Sequence, residues 1–137
     1  NMNGVLRELG AGTAQVDGAA VNILTLALTA LAADEMLHFT WETSGGQIGS
    51  ETFAPRPYKD YDLQPSGLTH QIDGNQITLS ATSLALFVAL EADVSGRFDR
   101  NCITLLPGQQ VTVTFAPANP DVTPIFTLRD LHSATYA

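Results

Sequence analysis

Three things are scarce in this sequence. Its 137 residues include one cysteine, Cys102, so no intrachain disulfide can form. A single thiol is compatible with cytosol or periplasm and does not choose between them; a periplasmic or extracellular placement is favoured over a cytoplasmic one. Basic residues are few: six Lys plus Arg face fourteen Asp plus Glu, a net charge of −8. Nucleic-acid partners need clustered Lys and Arg against phosphate, so none is expected. The same deficit excludes attraction to an anionic membrane surface. Long apolar runs are also missing. The best, Val21–Ala33, is interrupted by Asn22, Thr25 and Thr29, too short and too polar to span a bilayer. No basic segment followed by an apolar stretch marks a signal peptide. The opening Asn1-Met2-Asn3 reads as the start of a piece cut from a longer protein.

What is present is enough for one packed domain. Hydrophobic residues make up 45% and charged residues 15%, which excludes a disordered chain. A chain of this size buries roughly 68% of its unfolded surface, so a core needs no metal or disulfide.

The patterning is that of short strands. Val5–Leu9 and Thr13–Val16 are brief apolar segments, and Asp17-Gly18 is a turn signal. In Val21–Leu31, Leu24, Leu26 and Leu28 alternate with Thr25, Ala27 and Thr29, which predicts a strand, although a helical stripe also fits. Met36–Trp41 predicts another, with Leu37, Phe39 and Trp41 on one face and Trp41 in a core. Glu51–Ala54 is a short extended piece. The stretch 55–67, with Pro55, Pro57 and Pro65, is a long connection, read as a crossover between sheets. Asp73-Gly74 predicts a two-residue hairpin between His70–Ile72 and Asn75–Leu79. Leu84–Ala92 is apolar on both faces and predicts a central strand.

The most informative stretch is Arg97–Phe115. Ile103 and Leu105 share one face before Pro107-Gly108; Val111, Val113 and Phe115 share one after it. Pro107 suits the second position of a turn and Gly108 the positive φ of the third, so a type II turn and a β-hairpin are expected. Further on, Ile125–Leu128 predicts a last strand. Many short strands with turns every 8–12 residues or so predict an all-β fold, an antiparallel β-sandwich.

Phe98, Asn101, Leu105, Leu106, Pro107 and Gly108 also carry a resemblance. This stretch is similar to the closing segment of the C-terminal immunoglobulin-like domain of family-2 glycoside hydrolases of the β-mannosidase type, whose pattern there is roughly F-S-D-N-x-F-D-L-L-P-G-E. Asp99, Arg100, Ile103, Thr104 and Gln109 depart from it. Ile77–Val88 resembles that family's "strand, small polar turn, Leu-Ala, apolar strand" passage, and Glu51–Lys59 resembles its passage ending in Pro-Lys. The resemblance covers Glu51–Phe115. It implies one sandwich module over residues 1–137, with residues 1–50 as upstream strands, placed by position.

Candidate catalytic groups are thin. A retaining glycosidase needs two carboxylates about 5–5.5 Å apart. Glu42, Glu51, Glu91, Asp93 and Asp99 form no recognisable pair, and the resemblance places the catalytic glutamates on a separate upstream barrel, so no catalytic residue is expected here. Asp130-Leu131-His132-Ser133 puts an acid and an imidazole two apart, without a nucleophile elbow. His38, His70 and His132 lack metal-ligand spacing, and Cys102 is expected to pack as a small residue. No metal and no cofactor are expected. Tyr58 and Tyr61 are the candidate sugar-contact residues.

The expected function is a non-catalytic C-terminal β-sandwich supporting the barrel of a β-mannosidase-like enzyme. The fragment itself would not be an enzyme; its parent would hydrolyse terminal β-mannosides. The expected partners are other domains of the parent chain, with carbohydrate as a second candidate. The rivals are an autonomous carbohydrate-binding module, which needs exposed aromatics in a plane, and a cell-surface interaction sandwich.

Overall fold

A computed structural model describes residues 1–136. It divides into two compact units: Asn1 with Val5–Tyr61, and Met2–Gly4 with Asp62 to the C-terminus. The division falls inside the proline-rich connection.

In the first unit the only strands among the described residues are β1 (Leu37–Glu42) and β2 (Ile48–Phe53). They pair antiparallel, from Leu37 opposite Phe53 to Glu42 opposite Ile48. The turn closes because Thr43 N–H donates to the Gln47 carbonyl and Gly46 N–H to that of Thr43, both at 2.9 Å. The strands expected at Val5–Leu9, Thr13–Val16 and Val21–Leu31 do not form; that region holds a 3-10 turn at Leu28–Ala30. Alternation alone does not make a strand, because its backbone groups need a pairing partner. One side-chain clamp orders this segment. Arg7 Nε and Nη2 donate to the two carboxylate oxygens of Glu35 at 2.7 and 2.6 Å, and Nη2 also reaches the Ala30 carbonyl at 2.6 Å. These bonds hold the Glu35 carboxyl at about 2, the guanidinium being the first cause and the Ala32 N–H the second.

The second unit is a sandwich of two antiparallel sheets. One has the order β3 (Thr69–Asp73), β4 (Gln76–Ser80), β8 (Gln110–Pro117), β6 (Gly96–Phe98); the other β7 (Ile103–Leu105), β5 (Ala85–Ala92), β9 (Phe126–Arg129). The fold is therefore all-β and immunoglobulin-like, closed by one short helix, α1 (Leu131–Tyr136). Ile77, Leu79, Val113 and Phe115 from one sheet meet Ala85, Val88, Leu90 and Leu105 from the other, all at 2% exposure or less. Phe98, Phe115 and Phe126 close one side, with ring centroids 4.7 to 5.9 Å apart.

Two expectations hold here. Val113 and Phe115 are buried while Thr112 and Thr114 are exposed, the register that alternation predicts. The Pro107-Gly108 turn also forms: Gln109 N–H donates to the Leu106 carbonyl at 3.0 Å, and Gly108 sits at φ +73°. Its role differs from expectation, however. β7 and β8 are not partners. β7 pairs with β5 and β8 with β4 and β6, so the turn carries the chain from one sheet to the other. Both strands bury one face in the same core, and a pattern of faces cannot say which neighbour supplies the hydrogen bonds.

Smaller corrections follow the same logic. The β3–β4 turn is Gly74-Asn75, one residue later than expected, with Asp73 opposite Gln76 and Gly74 at φ +58°. In β5 a register shift between Ala85 and Val88 accompanies Phe87 at φ +53°. Phe87 thereby turns outward, 39% exposed, so the strand is not buried throughout. Cys102 lies exposed at φ +55°, not packed.

Candidate functional site

The family-like motif residues work as fasteners. Asn101 spans the gap to β5: its side-chain oxygen accepts from Leu90 N–H at 2.8 Å, and its amide donates to the Leu90 carbonyl at 2.9 Å. Asp99 accepts from Thr114 N–H at 3.0 Å, and Asp93 from Ile125 N–H at 2.8 Å. Glu91 pairs with Arg129 on the surface. Glu51 accepts from Thr52 N–H at 3.2 Å. Asp93 and Asp99 thereby stitch strand ends.

A cleft with polar groups in its wall lies in the second unit, about 530 Å³ between 65–68, β3, β9 and the start of α1. Its geometry begins with Pro65-Ser66-Gly67-Leu68. The Ser66 carbonyl accepts from Thr82 N–H at 3.0 Å and Ser83 N–H at 2.9 Å, which pins the segment to the turn before β5. The Ser66 hydroxyl then donates to the Asp130 carboxylate, and both residues are 4% exposed. Asp130 also caps α1. Ser133 N–H donates to Asp130 Oδ1 at 2.8 Å, while Asp130 N–H donates to Ser133 Oγ at 3.0 Å, a reciprocal capping arrangement. Burial by itself would raise the Asp130 carboxyl. The bonds from Ser66 and Ser133 outweigh that and hold it below its ordinary value.

The Ser66 proton points at a carboxylate that is a weak base, and no imidazole intervenes. His132 stacks near Tyr136, with ring centroids 5.2 Å apart, and no hydrogen bond joins it to Ser66 or Ser133. The Asp130–His132 spacing is therefore that of a helix cap, not of an activated nucleophile. The sequence offered only Asp130 as an ordinary N-cap residue type; Ser133 stands where a capping box carries Glu or Gln, so the reciprocal bond was not legible there. Ser66 carries no such signal, since its partner is 64 residues away.

The sequence candidates lie elsewhere. Tyr58 is half-buried in a 3-10 turn, and Tyr61 is 4% exposed, its hydroxyl donating to the Glu35 carbonyl at 3.4 Å. Trp41 does not enter a core. It is 47% exposed beside Phe39 at 46%, centroids 5.9 Å apart, and its indole lies across Gly49, where a Cβ would overlap the ring. His38 is half-buried; Nδ1 sits 2.9 Å from Thr52 Oγ1, and burial pushes the imidazole down. Among the described residues no three His, Cys, Asp or Glu side chains gather as a metal-ligand group. Nor, among the described residues, is any helix long and apolar enough to cross a membrane.

Two stacked antiparallel sheets, the Asn101 clamp and the Pro-Gly crossing define an immunoglobulin-type module. The family model for the Ig-fold domain of mannosidases matches residues 63–134, more than half of the chain. The chain belongs to that family. The match reaches past Phe115 through β9 into α1, and leaves Glu51–Lys59 outside it. No curated protein matches the chain.

Proposed function

We infer that the second unit is a non-catalytic module that supports the catalytic barrel of a β-mannosidase-like parent, an enzyme hydrolysing terminal β-mannosides with retention. Its partners are then other domains of the same parent chain. The observation that carries this reading is the use of the acids: Asp93, Asp99 and Asp130 are committed to backbone N–H groups. A glycosidase requires one carboxyl free to protonate the leaving oxygen and one free to attack. Incubated with a chromogenic β-mannoside, this chain should release no dye above buffer. Turnover that disappears on mutating Glu51, Glu91, Asp93 or Asp99 would sink the reading.

A second reading, direct sugar contact, draws support from the exposed Phe39–Trp41 pair and from Tyr58. Aromatic faces stack on the C–H side of a sugar ring; Tyr58 is half-buried, and Tyr61, 4% exposed, offers no open face. Calorimetry with millimolar mannobiose separates the readings. The supporting-module reading gives no saturable heat; an isotherm lost in Tyr58→Ala or Trp41→Ala favours the binding module.

A further inference from the structure

The second unit buries an acid beside a cleft and brings it no counter-ion. Asp130 is 4% exposed and lines the cleft together with both of its donors, Ser66 and Ser133. It is held as a carboxylate: burial would raise it, and the bonds from Ser66 and Ser133 keep it below its ordinary value. A carboxylate accepts at about four lone-pair positions. The Ser66 hydroxyl and the Ser133 N–H and hydroxyl fill at most three of them, so acceptor capacity remains. The unit's arginines are placed elsewhere. Arg129 pairs with Glu91 and Arg100 with Asp99, while Arg97 stands on β6, the edge of the four-stranded sheet farthest from β3. His132 acts on Asp130 through space only and stacks near Tyr136. Among the described residues no Lys, Arg or His is ion-paired with Asp130. Burying an anion without a cation is costly, and a cation entering the cleft would offset that cost.

We propose that this cleft is a socket for the side chain of a Lys or Arg presented by another protein segment, its charged head beside Asp130. The lining suits such a side chain. Leu68, Phe126 and Leu128 give apolar surface along which methylene groups pack, and Asp130 supplies the charge that a cationic head needs. The volume, about 530 Å³, is that of a ligand-binding cleft, with room for the side chain and part of the backbone that carries it. The whole chain favours the same sign of partner. Its net charge of −8 draws a cationic segment and repels an acidic one. This proposal rests on the reading of the unit as a supporting module: the segment belongs to another domain of the parent chain, and the charge pair fixes the register of their contact.

Titration of the intact chain with acetyl-Gly-Arg-Gly-amide, followed by amide chemical shifts at about pH 7.5, tests this. Saturable shifts are expected at Ser66, Leu128 and Ser133. The same peptide with citrulline for Arg keeps the shape without the charge and should bind at least about tenfold more weakly. Asp130→Asn keeps a residue that caps helices, removes the charge, and should weaken the Arg peptide by a similar factor. His70→Lys keeps the test open should that variant fail to fold. His70 is exposed on β3 and lines the cleft, so an ammonium there competes with the peptide and should weaken it several-fold. No saturable shift in the native chain at about 20 millimolar peptide overturns the proposal. So does equal binding of the citrulline peptide, or binding of n-butylguanidinium with the peptide excluded, which would make the cleft a small-molecule site. Failure here is distinct from failure of the supporting-module reading. Dye release from a β-mannoside overturns that reading, whereas absence of peptide binding overturns the socket alone.

Discussion

The two units show what hydrophobic content can and cannot do. The second gathers Ile77, Leu79, Val88, Leu105, Val113 and Phe115 into one interior, each at 2% exposure or less. The first has comparable apolar residues but spreads them over its surface: Val5, Ile23, Leu24, Leu28, Trp41 and Phe53 are all 47% exposed or more. The difference is backbone pairing. The second unit has seven strands in two sheets, so each inner face meets another; the first has a lone two-stranded sheet. A two-stranded sheet has marginal stability in water, whatever its side chains. The second unit should accordingly respond to core truncation as a cooperative domain, and the first hardly at all.

The largest expected effect is Phe115→Ala. It removes a ring buried against Phe98 and Phe126 and should cost about 3–5 kcal/mol in a denaturant melt. Phe39→Ala in the first unit, half-exposed, should cost less than about 1 kcal/mol. Equal costs would erase the distinction between the units.

Gly108→Val comes next, at about 1–3 kcal/mol. The space around a Cβ there is open, so the cost is the φ of +73° and not a clash. Gly108→Asn, a residue that tolerates this region, should recover most of the loss. If both variants melt alike, the turn is not the source.

Acid separates the units in another way. The Asp130 carboxyl lies below its ordinary 3.8 in the folded state, so its contribution is fully present above that value and is lost as pH falls through the folded one. His38 has the opposite chemistry. Its imidazole is pushed below 6.5 by burial, so the folded state binds the proton less readily and stability falls as pH drops from 6.5. Hydrogen exchange from pH 7 to 5 should therefore loosen β1–β2 while leaving the sandwich protected. His38→Gln should flatten that dependence; an unchanged slope removes His38 from the account.

The smallest effect is Thr112→Ala. Thr112 is exposed and its hydroxyl lies 3.1 Å from that of Thr78, so the loss should stay under about 1 kcal/mol. Val113→Ala beside it should cost about 2–3 kcal/mol through lost burial and a cavity. A reversed order would mean the register is off by one residue.

What the amino-acid sequence determined by itself is local. Pro107-Gly108 dictates a turn because ring closure and a missing Cβ act on one or two residues. The period of two in Val111–Phe115 dictates which side chains are buried, since a strand has only two faces. Together with the Phe98–Gly108 motif, this was enough to reach the sandwich class and the family. What only the tertiary structure decided is pairing. The same alternation is a strand in β8 and unpaired chain in 21–27, because a ladder needs donors and acceptors from elsewhere. The turn at Pro107 joins two sheets instead of two partners for the same reason. The cleft depended on pairing most of all. Ser66 meets Asp130 across 64 residues, and β3 faces β9 only after both sheets have closed. No spacing rule reaches that far, because the contacts are set by how sheets stack and not by the residues in between.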